Sequence, residues 1–149
     1  MHPLQFLVPL GWIETIGPIL PIALFVLAVA NVGTRLLSHR QHEQQAAEGD
    51  DDEALDRYAP HVFTNTGLVT MGMLFTLYRP TSGMIFMIPV IGLFVTDFFE
   101  FESRLVEARN DMELERPKAG IAISLLVVVY AAYYGLEFLY SPYLDLIFA

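Results

Sequence analysis

Apolar and polar positions are strongly segregated along this chain. Four runs approach the roughly 20 mostly apolar residues that a membrane span requires: residues 16–37, "IGPILPIALFVLAVANVGTRLL"; 60–78, "PHVFTNTGLVTMGMLFTLY"; 84–101, "MIFMIPVIGLFVTDFFEF"; and 119–140, "AGIAISLLVVVYAAYYGLEFLY". The second is the least apolar, since threonine, asparagine and His61 interrupt it. Between the runs lie polar segments at 38–59 and 102–118, and a short turn, "RPTSG", joins the middle pair. The pattern predicts an all-α, polytopic membrane protein with four transmembrane helices arranged as two antiparallel hairpins. It forms a single membrane domain over residues 1–149.

Boundary residues sharpen the elements. Each returning helix is preceded by arginine and proline, "RYAP" before the second run and "ERP" before the fourth. Proline is tolerated in a first helical turn because its missing N–H would lack a partner there anyway. The first helix is expected to continue past His42 and break at Gly49. A short helix is expected over "DEALDRY", capped by the acidic run at Asp50–Asp52. "ESRLVEARNDMELERPK" reads as a helical extension of the third run. Pro18, Pro21 and Pro89 are read as kinks. "PLQFLVPLGW", with Trp12, reads as an interfacial lead-in. With no Lys or Arg before the first run and no A-x-A site after it, a signal peptide is not expected.

Charge sets an orientation. Of the eight Lys and Arg residues, only Arg79 lies on the side of the short turn; the others border or occupy the two long polar segments. Orientation follows Lys and Arg rather than net charge. Loops 38–59 and 102–118 are therefore expected in the cytoplasm, with both termini outside. The formal net charge of -9 argues against nucleic acid as a partner. The absence of cysteine excludes thiolate metal sites and cysteine nucleophiles. His39 and His42 lie one helical turn apart without a third ligand nearby. No cofactor is expected, because no phosphate-binding glycine loop, H-E-x-x-H or G-x-S-x-G motif occurs. An enzyme is not expected either.

Candidate chemistry lies in the polar residues within the apolar runs, which are costly in lipid and turn towards a bundle interior or cavity. At about 100° per residue, Asn31, Thr34, Arg35 and Ser38 share a face of the first run. His61 and Asn65 share one on the second, and Asp97, Glu100 and Arg104 share one on the third. With the orientation above, Asn31, Arg35, His61, Asn65, Asp97, Glu100 and Arg104 form an inner polar cluster; Arg79 and Glu137 form an outer pair. Asp97 is the deepest carboxylate, and the expected partners of Asp97 or Glu100 are Arg35 or His61. Glu100 precedes Arg104 by four residues, the favourable order for a helical ion pair. Gly120, Ser124, Ala131 and Gly135 form a small-residue packing seam on the fourth run, read first as contact with another helix of the same chain.

The segments "TDFFEFESR" and "ERPKAGIAISLLVVVYAAY", with the acidic loop between the first two runs, resemble small four-span membrane proteins of halophilic archaea of unknown function. The resemblance implies a membrane location and a high-salt setting, and Arg outnumbering Lys seven to one fits that setting. The expected partners are the lipid bilayer and either a second copy or another membrane protein. Two functions follow: a non-enzymatic accessory or scaffold subunit, or a small proton- or cation-coupled transporter or channel subunit using Asp97, Glu100 and His61.

Overall fold

The computed structural model describes residues 10–48, 55–110 and 112–148. These form six helices: α1 (Leu10–Ile16), α2 (Leu20–Glu48), α3 (Ala59–Tyr78), α4 (Pro80–Arg109), α5 (Lys118–Gly135) and α6 (Glu137–Phe148). A 3-10 turn, Gly17–Ile19, joins α1 to α2 and carries Pro18. Among the described residues there is no strand. The four long helices close into a ring in which α2 packs on α3 and α5, and α4 packs on α3 and α5.

Three helical segments are long and apolar enough to cross a membrane: Gly11–Glu48, Pro80–Arg109 and Lys118–Gly135. The 20-residue helix α3 matches the second expected run in length but is not among them. Its Thr64, Leu68, Gly72 and Phe75 turn inwards, so part of its polarity is spent on neighbouring helices. The fourth expected run does not form one helix to Tyr140. Its continuous part ends at Gly135, and α6 starts anew at Glu137 with no buried residue.

The bundle divides by polarity along its length. Towards the end with the short α3–α4 turn, Leu20, Leu24, Ala28, Leu68, Phe75, Phe86, Val90, Leu93, Val127 and Ala131 form a dry core. Phe75 meets Phe86 and Tyr134 in edge-on contacts, with ring centroids 6.4 and 5.4 Å apart. The outward faces carry Val26, Val29, Phe63, Ile88, Ile91 and Val129, all exposed. Apolar residues thus cover the outside of the bundle as well as its centre.

Two local expectations change. α2 runs to Glu48, as the sequence indicates; Gly49 and the Asp50–Asp52 run lie outside the described residues. Leu55–Tyr58, the described part of "DEALDRY", is not helical. The last turns of α2 take its backbone groups instead: the Asp56 N–H donates to Gln45 Oε1 at 3.1 Å, and the Asp56 carbonyl bonds His42 Nε2 at 2.7 Å. Leu55 is then buried with Ala108 and Leu114. α4 does extend to Arg109, but residues 112–117 are irregular.

Candidate functional site: a polar knot across three helices

At the opposite end from the short α3–α4 turn, the polar faces of α2, α3 and α4 meet. Arg35 is fully buried, with a side chain 2% exposed, and Asp97 beside it is 12% exposed. The guanidinium grips the carboxylate with both ends, Nη1 on Oδ1 and Nη2 on Oδ2, the second contact at 3.0 Å. Two parallel charge-assisted bonds of this kind fix orientation as well as supplying energy.

The pair belongs to a closed cycle of four side chains. Arg35 Nη2 also donates to Asn31 Oδ1 at 3.0 Å. Asn31 Nδ2 donates to Asn65 Oδ1 at 2.6 Å, and Asn65 Nδ2 donates to Asp97 Oδ2 at 2.6 Å. The cycle therefore passes from α2 to α3 to α4 and back to α2. His61 Nε2 reaches the same Oδ2 at 3.2 Å. Asp97 thus accepts two bonds from Arg35 and one each from Asn65 and His61, the pattern of an ionised carboxylate whose acceptor sites are filled.

Thr34 and Thr64 complete the knot, and the candidate cluster read from the sequence omitted both. Asn31 Nδ2 donates to Thr64 Oγ1 at 2.9 Å. Thr34 Oγ1 lies 2.8 Å from His61 Nδ1 and 3.0 Å from Thr64 Oγ1, and 3.1 Å from the Asn31 carbonyl. Threonine in an apolar helix ordinarily returns its hydroxyl to its own backbone, so composition gave no sign of these interhelical contacts. The detectable signal was phase: Thr34 shares the face of Asn31 and Arg35.

Glu100 and Arg104 sit one turn further along α4. Their ion pair is loose, at 3.9 Å, because Glu100 is engaged elsewhere. Its Oε1 accepts the backbone N–H of Gly120, at 2.8 Å, in the first turn of α5. A carboxylate suits that position, where unpartnered N–H groups and the helix dipole favour negative charge. Arg104 turns its Nη1 to His42 Nδ1, 3.1 Å away. Guanidinium can only donate and a carbonyl can only accept, so His42 is the neutral tautomer with its proton on Nε2, directed at Asp56. Arg57 lies over the face of Phe101, 4.2 Å from the ring centroid.

The small-residue seam faces α2 of the same chain. Gly120, Ser124, Ala131 and Gly135 are all buried. At Gly135 a Cβ would lie 2.7 Å from the Pro21 carbonyl oxygen. Gly120 has a different role from packing alone: its missing Cβ leaves room for Arg35 Nη1 and Glu100 Oε2, each of which would be 2.7 Å from that atom. The guanidinium is therefore backed by α5 and flanked by a second carboxylate. The outer pair forms as a contact between exposed side chains, Arg79 Nη1 to Glu137 Oε2 at 3.8 Å. Among the described residues no three His, Cys, Asp or Glu side chains gather as a metal site, and His39 and His42 turn to Glu43 and Arg104 respectively.

The architecture defines a class, an all-helical bundle with candidate membrane helices and a buried polar knot at one end. Within that class, residues 2–148 match the domain of unknown function DUF7313, and the chain belongs to that family. No curated protein and no solved structure matches it.

Proposed function

We propose that this is a four-span integral protein of the cytoplasmic membrane that acts as a non-enzymatic accessory or scaffold subunit. In this reading both termini are outside, and it works through its helix faces and cytoplasmic loops. The observation that carries it is the saturation of Asp97. A carboxylate held by Arg35, Asn65 and His61 is a cross-link between helices. A transported cation would have to displace a guanidinium, and the apolar core beyond the knot offers it no second station. Helix α3 counts as the fourth span because it lies between α2 and α4 and directs His61 and Asn65 into the knot. Acid-rich, lysine-poor polar segments support a high-salt setting.

Topology is testable because the chain has no cysteine. In intact cells, Thr81→Cys should react with an impermeant maleimide, and Glu48→Cys should react only after lysis. Reversed labelling would overturn the orientation.

One observation favours a second reading, a small proton- or cation-coupled transporter or channel subunit using Asp97, Glu100 and His61. Thr34 has one hydroxyl hydrogen and three acceptors within reach. It can donate to a neutral His61 or accept from a protonated one without a heavy atom moving. Proteoliposomes separate the two readings. The scaffold reading expects proton and sodium flux no greater than in empty liposomes. It also expects a stoichiometric membrane partner, or a second copy, to co-purify in mild detergent. Flux that Asp97→Asn abolishes would establish the transporter instead.

A further inference from the structure

Beside the knot, where α2, α3 and α4 leave their apolar stretches, lies a cavity of about 40 Å³. It has room for roughly three waters at ~10–15 Å³ each, or for one small oxyanion. Arg35, Arg57 and Arg104 line it, with Ser38 and Tyr58 between them, and Asp97 is the one carboxylate in the lining. Asp97 is already neutralised by Arg35. Glu100 stands outside the lining, by Gly120, where it flanks Arg35 and lies 3.9 Å from Arg104. Among the described residues, Arg57 rests on the faces of Phe101 and Phe98 and meets no carboxylate. Within the lining itself, three guanidinium groups face one carboxylate.

A second observation is independent of that charge count. Arg35 lines the cavity, its side chain is 2% exposed, and its Nε–H has no acceptor. A buried donor left without a partner is costly, the more so on a charged group, so native proteins supply one. Glu100 Oε2, also without a hydrogen-bond partner, lies on the Nη1 side of the guanidinium by Gly120; a guest in the cavity that Arg35 lines would supply the acceptor that Nε lacks.

The geometry points to a binding site for a single phosphate group in this cavity, held by Arg35 Nε, Arg57 and Arg104 with Ser38 and Tyr58 as hydroxyl donors. Planar guanidinium groups match the paired oxygens of phosphate better than a spherical halide. The source is either free inorganic phosphate or the phosphodiester of an anionic lipid, and basic pockets between membrane helices take such headgroups. Occupation would tie the residues preceding α3 to α2 and α4.

The test uses delipidated full-length protein in non-ionic detergent at fixed ionic strength, which holds screening constant. Inorganic phosphate is titrated in one calorimetric series and short-chain phosphatidylglycerol in another. Saturable one-site binding in the first series identifies the free anion, and in the second alone the headgroup; either supports the site. Arg57→Gln should weaken binding about tenfold, as loss of a charge-assisted bond does, while the distant Arg79→Gln should leave it unchanged. Ser38→Ala and Tyr58→Phe preserve all charges and should each weaken binding a few-fold, so the test survives if Arg57→Gln misfolds. Absence of saturable binding of both ligands overturns the proposal. So does binding that Arg57→Gln, Ser38→Ala and Tyr58→Phe all leave at the wild-type level.

Discussion

Asp97→Asn is expected to lose about 3 kcal/mol of folding stability, the lower end of the 3–5 kcal/mol typical when one member of a buried ion pair is removed. The substitution preserves the size of the side chain but leaves Arg35, which is 2% exposed, without its counter-charge. Glu100 keeps the loss at the lower end, because it and Arg35 flank the same small gap at Gly120. The cost is chiefly that of a stranded charge. Arg35→Gln combined with Asp97→Asn should therefore be more stable than Asp97→Asn alone. Denaturant or thermal unfolding in detergent measures both. Equal stability of wild type and Asp97→Asn would show that the carboxylate is not a structural cross-link, and would move the balance towards proton handling.

Gly83→Ala is the second large effect, and its origin is steric. Gly83 lies in the first turns of α4, where the chain has just turned back from α3. A Cβ there would lie 2.3 Å from Thr76 Cα and 2.6 Å from Thr76 N. Those are backbone atoms of the neighbouring helix, so no rotamer change relieves the clash and the two helices must separate. Overpacking of this kind costs typically 1–3 kcal/mol. Alanine recovers up to about 1 kcal/mol of helix propensity over glycine. A net loss of about 2 kcal/mol is expected, read as a lower unfolding midpoint. Gly92→Ala on the same helix is the control: nothing lies within 4 Å of its Cβ position, so propensity alone acts and stability should hold or rise. If the two variants behaved alike, the close α3–α4 approach would be refuted.

Both predictions rest on atoms brought together from distant parts of the chain, and the sequence showed one more clearly than the other. Arg35 and Asp97 were legible as a candidate pair because an ionisable residue in an apolar run must find a partner, and helical phase and depth left few choices. Gly83 was not legible: it sat in a turn-like "RPTSG" with no mark of close contact. Gly120 was read only as part of a packing seam. Its spacing from Ser124 and Ala131 suggested packing of small residues, whereas its neighbours are a guanidinium and a carboxylate. A glycine's spacing reveals which face it is on and says nothing of what fills the space it leaves.

The other departures share a cause. "DEALDRY" has helical propensity and caps, but propensity is worth only tenths of a kcal/mol per residue. Its described part, Leu55–Tyr58, is not helical, and His42 and Gln45 of α2 take the Asp56 backbone groups there. The fourth apolar run looks continuous because hydropathy does not register a helix break. α5 ends at Gly135, after about 27 Å of helix at 1.5 Å per residue, already close to the thickness of the hydrocarbon core.

By itself the sequence determined the all-helical architecture and the segregation of most basic residues to one end; of the four spans it suggested, three form helices long and apolar enough to cross a membrane. These follow from local quantities: apolar run length, helical period and the cost of burying charge. It also named Asn31, Arg35, His61, Asn65 and Asp97 as cluster candidates, because each face of a helix can be computed from spacing alone. The tertiary structure decided the connections. It chose Asp97 over Glu100 for Arg35, assigned Glu100 to the start of α5, recruited Thr34 and Thr64, and left Arg35 Nε without an acceptor beside a cavity. Helical phase fixes where a side chain points on its own helix. Its partner depends on the rotation and offset of the neighbouring helix, which are set by packing contacts such as Gly83 on Thr76 and Gly135 on Pro21.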